Sequence, residues 1–315
     1  MSYHQITPDE RYRLSALRVQ GLSNTQIAKA MGRHRSTIWR EVRRNAAWDG
    51  WYKVREANQH ASGRRMRSRS HPHFTPAQLD RVWGLIRLRW SPEQVSGTLR
   101  QSGELSISHE TIYRHIWADM KHGGDLHSHL RCAIKQRRKR YRSYDSRGRL
   151  AGKTMIQDRP RHIGLRRRVG HWEIDTVLGK GSRHCIVSLV ERKSGYLQIA
   201  KLKARNVEQT TAGTIQLIGR HPDLCKSITA DNGTEFHGYA DIEQATGVKF
   251  YFATPHHAWE RGTNENTNGL IRQYLPKNTS MARLTQKECD QIAKALNTRP
   301  RKRHGYKTPE QVFFQ

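Results

Sequence analysis

The segment Gly170-His171-Trp172-Glu173-Ile174-Asp175-Thr176 alternates apolar and acidic side chains, with Trp172 and Ile174 turned one way and Glu173 and Asp175 the other. That period of two is a β-strand, Trp172 to Leu178, with one face apolar. Working outward, His184 to Val190 and Tyr196 to Leu202 read as two more strands, the last two joined by a Lys193-Ser194-Gly195 turn. A helix from Val207 to Arg220, a strand Ser227 to Ala230, a helix Ala240 to Thr246, a strand Val248 to Ala253 and a helix Thr263 to Tyr274 follow. A three-strand meander followed by alternating helix and strand is an α/β architecture with a mixed sheet, whose reactive groups gather at strand ends.

Three acids stand at informative places. Asp175 lies within the first strand, where a charge is costly unless it is paired or bound to a cation. Asp231 closes a strand and precedes the turn dipeptide Asn232-Gly233, and Glu265 sits near the start of the last helix. Oxygen ligands from separate elements suit hard divalent ions, Mg²⁺ with Mn²⁺ as substitute. Two such ions can activate an attacking water or hydroxyl and stabilise the leaving oxygen of a phosphoryl displacement. Each acid alone also has an ordinary explanation: a solvated strand face, turn chemistry, or a favourable charge at a helix start. Glu173 shares the Asp175 face and is a further candidate near the metal, with Glu235 nearby. Arg261, Glu265, Asn268 and Arg272 recur along one broad helix face, and His256 and His257 follow a strand end. Gly269 costs helix stability, which either DNA approach or tight packing would explain.

The 315 residues carry a net charge of +30. Residues 1–170 hold 36 Lys and Arg against 13 acids, so most of the excess lies in the front half. Self-repulsion of this size favours a polyphosphate partner, which makes double-stranded DNA the leading partner class and argues against a small-metabolite enzyme. Thr7-Pro8-Asp9-Glu10 opens a helix, Ser23 caps a second over Asn24 to Met31, Gly32 ends it, and a basic helix runs from about Arg35 to Arg44 with Ile38 and Val42 inward. This is a helix-turn-helix pattern, with Arg33, His34, Arg35, Ser36, Thr37 and Arg40 nearest base edges and Arg43 and Arg44 also outside. A second copy uses Ser91-Pro92 and then Ser108 to Trp117, with Ser108, His109, Thr111 and Arg114 as contacts, although Gln101 to Ile107 is long for a tight turn. The basic stretch from Arg131 to Arg149, including Arg137, Arg138, Lys139 and Arg140, reads as a phosphate-tracking linker.

The expected organisation is therefore a helix-turn-helix domain over 1–60, a basic linker over 61–73, a second helix-turn-helix-like domain over 74–130, a basic linker over 131–169 and a catalytic domain over 170–315. Four scattered cysteines with no C-x-x-C pair argue against structural zinc and disulfides; His122, His127, His129 and Cys132 lack a fitting zinc pattern. No long apolar run or leader-like segment is visible, which leaves a cytoplasmic setting, nucleoid-associated when bound to DNA.

The Ser23–Asn45 segment, Gly170–Thr176, Ala230–Phe236, and Trp259-Glu260-Arg261-Gly262-Thr263-Asn264-Glu265-Asn266-Thr267-Asn268-Gly269-Leu270-Ile271-Arg272 resemble bacterial DDE transposases of the insertion sequence thirty family. Leu296–Lys302 and Thr308–Glu310 extend the likeness over nearly the whole chain. The resemblance implies a ribonuclease H-like core related to retroviral integrases, with the catalytic acids on Asp175, Asp231 and Glu265. It also implies binding of terminal inverted repeats, hydrolysis that frees a 3′-hydroxyl, and attack of that hydroxyl on target DNA without a covalent protein–DNA intermediate. Cutting and joining two ends argues for a homodimer or larger assembly. A repressor without chemistry explains the helix-turn-helix but not three acids on three elements, and a ribonuclease H-like nuclease or integrase shares the metals without end specificity.

Overall fold

The computed structural model of the chain describes residues 5–47, 50–69, 74–131, 152–181, 183–255 and 257–315, which fall into two compact units, Met1–Pro76 and Ala77–Gln315. The first unit is helical: α1 (Pro8–Val19), α2 (Asn24–Met31), α3 (Arg35–Asn45) and α4 (Val54–Arg69). Reciprocal capping boxes start α1 at Thr7 with Glu10 and α2 at Ser23 with Gln26. Gly32 then takes a left-handed conformation, φ 62°, which only glycine adopts without strain, and His34 caps α3. Leu14, Ile27 and Ile38, one from each helix, are fully buried together. Beside them Arg11, 4% exposed, pairs with Glu41 at 2.5 Å, and Tyr52 donates to the same carboxylate at 3.1 Å.

The linker expected over 61–73 is helical up to Arg69. Ala57 and Ala61, one turn apart, are small enough to bury α4 against the bundle, and Arg64 reaches over the end of α3 to the Arg44 carbonyl and to Asn45 Oδ1.

The second unit opens with α5 (Pro76–Arg87), α6 (Pro92–Gln101) and α7 (His109–Lys121), packed through Val82, Ile86, Val95, Leu99, Ile112 and Ile116. Ser91 and Ser108 cap α6 and α7 as their sequences predict. After the short α8 (Arg161–Gly164) come β1 (His171–Leu178), β2 (Cys185–Glu191), β3 (Leu197–Leu202), α9 (Val207–Ile218), β4 (Ser227–Ala230), α10 (Tyr239–Thr246), β5 (Lys249–Phe252), α11 (Gly262–Ile271), α12 (Gln286–Asn297) and α13 (Pro309–Phe313). The sheet order is β3-β2-β1-β4-β5, with β1, β2 and β3 antiparallel and β4 and β5 parallel to β1. This mixed five-strand sheet is the ribonuclease H-like arrangement. On one face Trp172, Ile174, Val187 and Leu189 pack with Leu217, Ile242 and Phe313 from α9, α10 and α13. On the other, Val177, Ile186, Val190 and Ile199 pack with Leu270 and Ile271 of α11 and Cys289, Ile292 and Leu296 of α12.

Two further expectations change. The linker expected over 131–169 is partly built into the core from residue 152, because Met155 bridges to Phe252 and Ile163 is 4% exposed. Arg137, Arg138, Lys139 and Arg140 lie outside the described residues, as do Cys132 and His256. The last catalytic helix ends at Ile271 rather than Tyr274, because i→i+3 bonds tighten Gln273 and Tyr274 and the Arg272 side chain turns back to the Leu275 carbonyl. The helices beyond it are additions. α12 covers the sheet edge: Asn297 exchanges two hydrogen bonds with Leu197, and Gln286 donates to the Ile199 carbonyl and accepts from the Lys201 amide.

The C-terminal anchor is aromatic, with Phe313 stacked on Tyr196 at 4.3 Å and edge-on to Trp172 at 5.4 Å. Phe313→Ala should destabilise the second unit by about 3–5 kcal/mol and lower its thermal midpoint by about 10 °C. Calorimetry showing the second unit's melting unchanged would remove this anchor from the account.

Candidate active site

The parallel register pairs Glu173 with Thr229, so continuing it two residues brings Asp175 level with Asp231, just past the end of β4. Both then fall on the face that α11 covers, since Val177, which shares the parity of Asp175, packs with Leu270 and Ile271. Backbone amides orient the pair. The Thr176 N–H donates to Asp175 Oδ1 at 2.9 Å and the Gly233 N–H to Asp231 Oδ1 at 2.9 Å.

Two side chains of α11 and the turn before it complete the arrangement. Arg261 Nη2 is 3.1 Å from Asp231 Oδ2 and its Nη1 is 3.8 Å from Asp175 Oδ1, so one guanidinium compensates both carboxylates. Asn268 Nδ2 donates to Asp175 Oδ2 at 2.7 Å. Burial raises the Asp175 carboxyl above its ordinary range; Arg261 pulls it back and Asp231 pushes it further up. Two converging carboxylates that already hold one cation between them have the hard-oxygen chemistry that a divalent ion requires.

Glu265 belongs to the same helix but is exposed and makes no hydrogen bond or ion pair among the described residues. It faces a cavity of about 690 Å³ whose wall also includes Thr176, Asn268, Arg89, Arg131, Arg272 and Lys277. The structure thus joins Asp175 to Asp231 and leaves Glu265 beside them, without a cluster of three His, Cys, Asp or Glu close enough to hold a metal among the described residues.

The two neighbouring glutamates are structural. Glu173 has no exposed surface; it pairs with Arg192 Nε at 2.9 Å and accepts the Asn264 N–H at 3.0 Å. Glu235, 3% exposed, is held by Arg205 at 2.6 Å and by the Thr176 hydroxyl at 2.8 Å, although its Oε2 has no partner. Neither needs a metal to account for its burial. His257 sits 3.5 Å from Glu260 Oε1, not among the aspartates.

Several candidate DNA contacts are engaged inside the protein. Arg261 and Asn268 serve the aspartates, and Arg272 donates to the Leu178 carbonyl at 2.8 Å. Arg33 pairs with Glu10 at 2.8 Å, Ser36 bonds His34 Nδ1, Ser108 caps α7 against the Thr111 amide, and Arg114 donates to the Thr111 hydroxyl. His109 lies 3.8 Å from Glu110. On α3, Arg35, Arg40, Arg43 and Arg44 remain exposed, Arg43 over the Trp39 ring at 4.9 Å. Thr37, Arg40 and Arg44 border a cavity of about 590 Å³ that α4 completes with Arg64 and Arg65. The basic side of this unit is therefore wider than the recognition helix, and the alanine spacing in α4 was the available signal. The space that a side chain on Gly269 would fill holds the Arg131 guanidinium, so that glycine admits an arginine.

Residues 2–45 match the family described as a helix-turn-helix domain. Over 100% of its length the chain is 40% identical to the transposase for insertion sequence element IS4351 of Bacteroides fragilis, covering 97% of that protein. Over 98% of its length it is 39% identical to transposase InsI for insertion sequence element IS30A of Escherichia coli (strain K12), covering 83% of it. In structure, 47% of the chain is similar to 95% of the catalytic core domain of BIV integrase, with 18% identity and a TM-score of 0.37. No helix among the described residues is long and apolar enough to cross a membrane.

Replacing Glu173 by Gln removes one partner of a buried ion pair, which costs about 3–5 kcal/mol. The expected outcome is an earlier melting transition of the second unit, measured by calorimetry. Full stability of Glu173→Gln would show that the carboxylate does not clamp α11.

Proposed function

Because the chain belongs to the IS30-type family of insertion-sequence transposases, we propose that it cuts and joins DNA with Asp175, Asp231 and Glu265 as the catalytic carboxylates and divalent metal ions as cofactors. It is a DNA transposase with an N-terminal helix-turn-helix DNA-binding domain. The observation that carries the catalytic reading is the aspartate pair sharing one guanidinium beneath the helix that carries Glu265.

In this reading two Mg²⁺ or Mn²⁺ ions would be held by Asp175, Asp231 and Glu265, and bound there would supply activation of the attacking oxygen and stabilisation of the leaving one. The protein's own groups prepare the site. The Thr176 and Gly233 amides and the Asn268 amide fix where the aspartate oxygens point. Arg261 compensates the charge of the pair, and its guanidinium could also donate to a phosphate oxygen of a bound strand. Glu265, solvent-facing and unpaired, is free to turn toward the aspartates. The Arg and Lys side chains around its cavity attract the DNA backbone.

Upstream, Arg35 and Arg40 on α3 would read base edges of the terminal inverted repeats, and the basic run containing Arg137, Arg138, Lys139 and Arg140 would add phosphate contacts. Joining two element ends to a target calls for a homodimer or larger assembly on DNA. The protein would work in the cytoplasm, at the nucleoid when bound.

Glu265→Gln keeps the reach of the side chain and removes its charge. In an assay of end-containing duplexes with Mg²⁺ or Mn²⁺, DNA binding should persist while cleavage and joining nearly vanish; Asp175→Asn and Asp231→Asn should behave alike. Normal turnover by Glu265→Gln would end the catalytic assignment. For recognition, Arg35→Ala should lose about 1–3 kcal/mol on the preferred sequence and less on others. Equal loss on every duplex, in competition binding, would move base reading away from α3.

A further inference from the structure

The helix α11 separates two cavities. Glu265, Asn268 and Arg272 border the larger, whereas Asn266 and Leu270 border a smaller one of about 270 Å³ between the α6–α7 helices and the catalytic core. Arg89, Arg131, Arg299 and Arg301 converge on the smaller cavity, and no carboxylate among the described residues lines it. Their bonds go to neutral groups. Arg131 donates to Asn266 Oδ1 at 2.9 Å and to its carbonyl at 3.2 Å, Arg301 to the Leu296 carbonyl at 3.1 Å, and Arg299 to Gln273 Oε1 and the Tyr274 hydroxyl, both at 2.9 Å. Arg89 lies over the Tyr274 ring at 4.6 Å.

This cluster is unbalanced. Guanidinium groups stay charged at any physiological pH, so four of them around one half-dry cavity repel one another until an anion joins them. Arg299 is 2% exposed and its Nε is left without a hydrogen-bond partner. Burial, reinforced by Arg299, Arg303 and Arg131, pushes Arg301 down to about 10. Arg89 itself holds a left-handed backbone, φ 64°, which residues other than glycine adopt reluctantly. Trp117, 39% exposed, adds an aromatic face at the rim. Planar forks with unspent donors beside an aromatic surface match a phosphodiester with its attached base.

We propose that this arginine notch binds a backbone phosphate of the DNA strand that passes the Glu265 cavity, so that α11 is straddled by the strand it helps to cut. The proposal rests on the transposase reading and adds to it a site built jointly by the α5–α7 segment and the catalytic core, away from the residues expected to read bases. Arg89 and Arg131 belong to the walls of both cavities, so the two guanidinium groups link them. A phosphate seated there would replace the missing counter-charge and fix the register of the strand relative to the carboxylates.

The test measures binding of the full-length protein, without divalent metal, to a duplex carrying its own element end, for wild type, Arg89→Gln/Arg131→Gln and Arg131→Lys. Each is repeated on duplexes with one neutral methylphosphonate moved along both strands. The double variant should bind about tenfold more weakly and its salt slope should fall by about 1 to 2, while Arg131→Lys keeps most of the slope. The deficit should disappear on duplexes neutralised at one or two particular linkages. An unchanged slope, or a deficit that is the same whichever linkage is neutral, overturns the proposal. Inorganic phosphate distinguishes the other source of the ligand: if it raises the melting temperature of the wild type but not of the variant, and the two bind DNA equally, the notch takes a free anion and the DNA assignment falls. Should the double variant melt early, Arg131→Gln alone, at an exposed side chain, gives the same comparison. Since no cleavage is read, failure here leaves the catalytic reading standing, and failure of Glu265→Gln to lose turnover leaves this binding result intact.

Discussion

The carboxylate of Glu173, buried between β1 and the start of α11, is satisfied from two sides, by the Arg192 guanidinium and by the backbone N–H of Asn264. An uncompensated charge at such a place would cost several kcal/mol, so the elements that supply its partners are held to one geometry. The N-terminal end of α11 cannot slide along the sheet without leaving Glu173 short of a donor. Arg192 in turn donates to the Ile163 carbonyl, which brings the segment before β1 into the same clamp. Arg261, Glu265 and Asn268 inherit their positions over Asp175 from this contact.

What the clamp positions is itself a balance of charge. Asp175, within β1 just past its pairing with β4, and Asp231, just after β4, lie level on neighbouring parallel strands, where side chains of equal parity are about 5 Å apart. Such proximity is repulsive unless a cation lies between them, and in the structure the cation is Arg261. A divalent ion with the same preference for oxygen would compete with that guanidinium for the same lone pairs. The guanidinium thus supplies the positive charge that lets the two carboxylates converge.

The excess of basic residues has separate tasks along the chain. On α3 the arginines remain exposed and, among the described residues, unpaired by acids, whereas in the second unit arginines turn inward around α11 and bond carbonyls, amides and aromatic rings. Arginine tolerates this because its stem and planar face are weakly hydrated while its charge persists. Charge counted along the sequence therefore identifies the partner class but does not tell a DNA-facing arginine from one that supports the site.

The helix starts and the sheet strands were legible in the sequence because their causes are local. Thr7, Ser23, Ser91 and Ser108 each cap a helix within three residues, and the alternation through Trp172, Glu173, Ile174 and Asp175 sets which face each side chain takes. The same holds for Asp175 as an acid within β1 and for Asp231 as the acid that follows β4. α12 was not among the expected helices, although its Thr285–Glu288 capping box and the apolar spacing of Cys289, Ile292, Ala293 and Leu296 are local features, and nothing local says that it seals the β3 edge. The separate fates of three acids of similar local character, Glu173 pinned, Glu265 free, and Asp175 sharing Arg261, were decided by tertiary structure alone. So were the notch of arginines and the role of Gly269. Each depends on side chains that meet from elements tens of residues apart, and a sequence records which charges exist but not which of them folding brings within hydrogen-bonding distance.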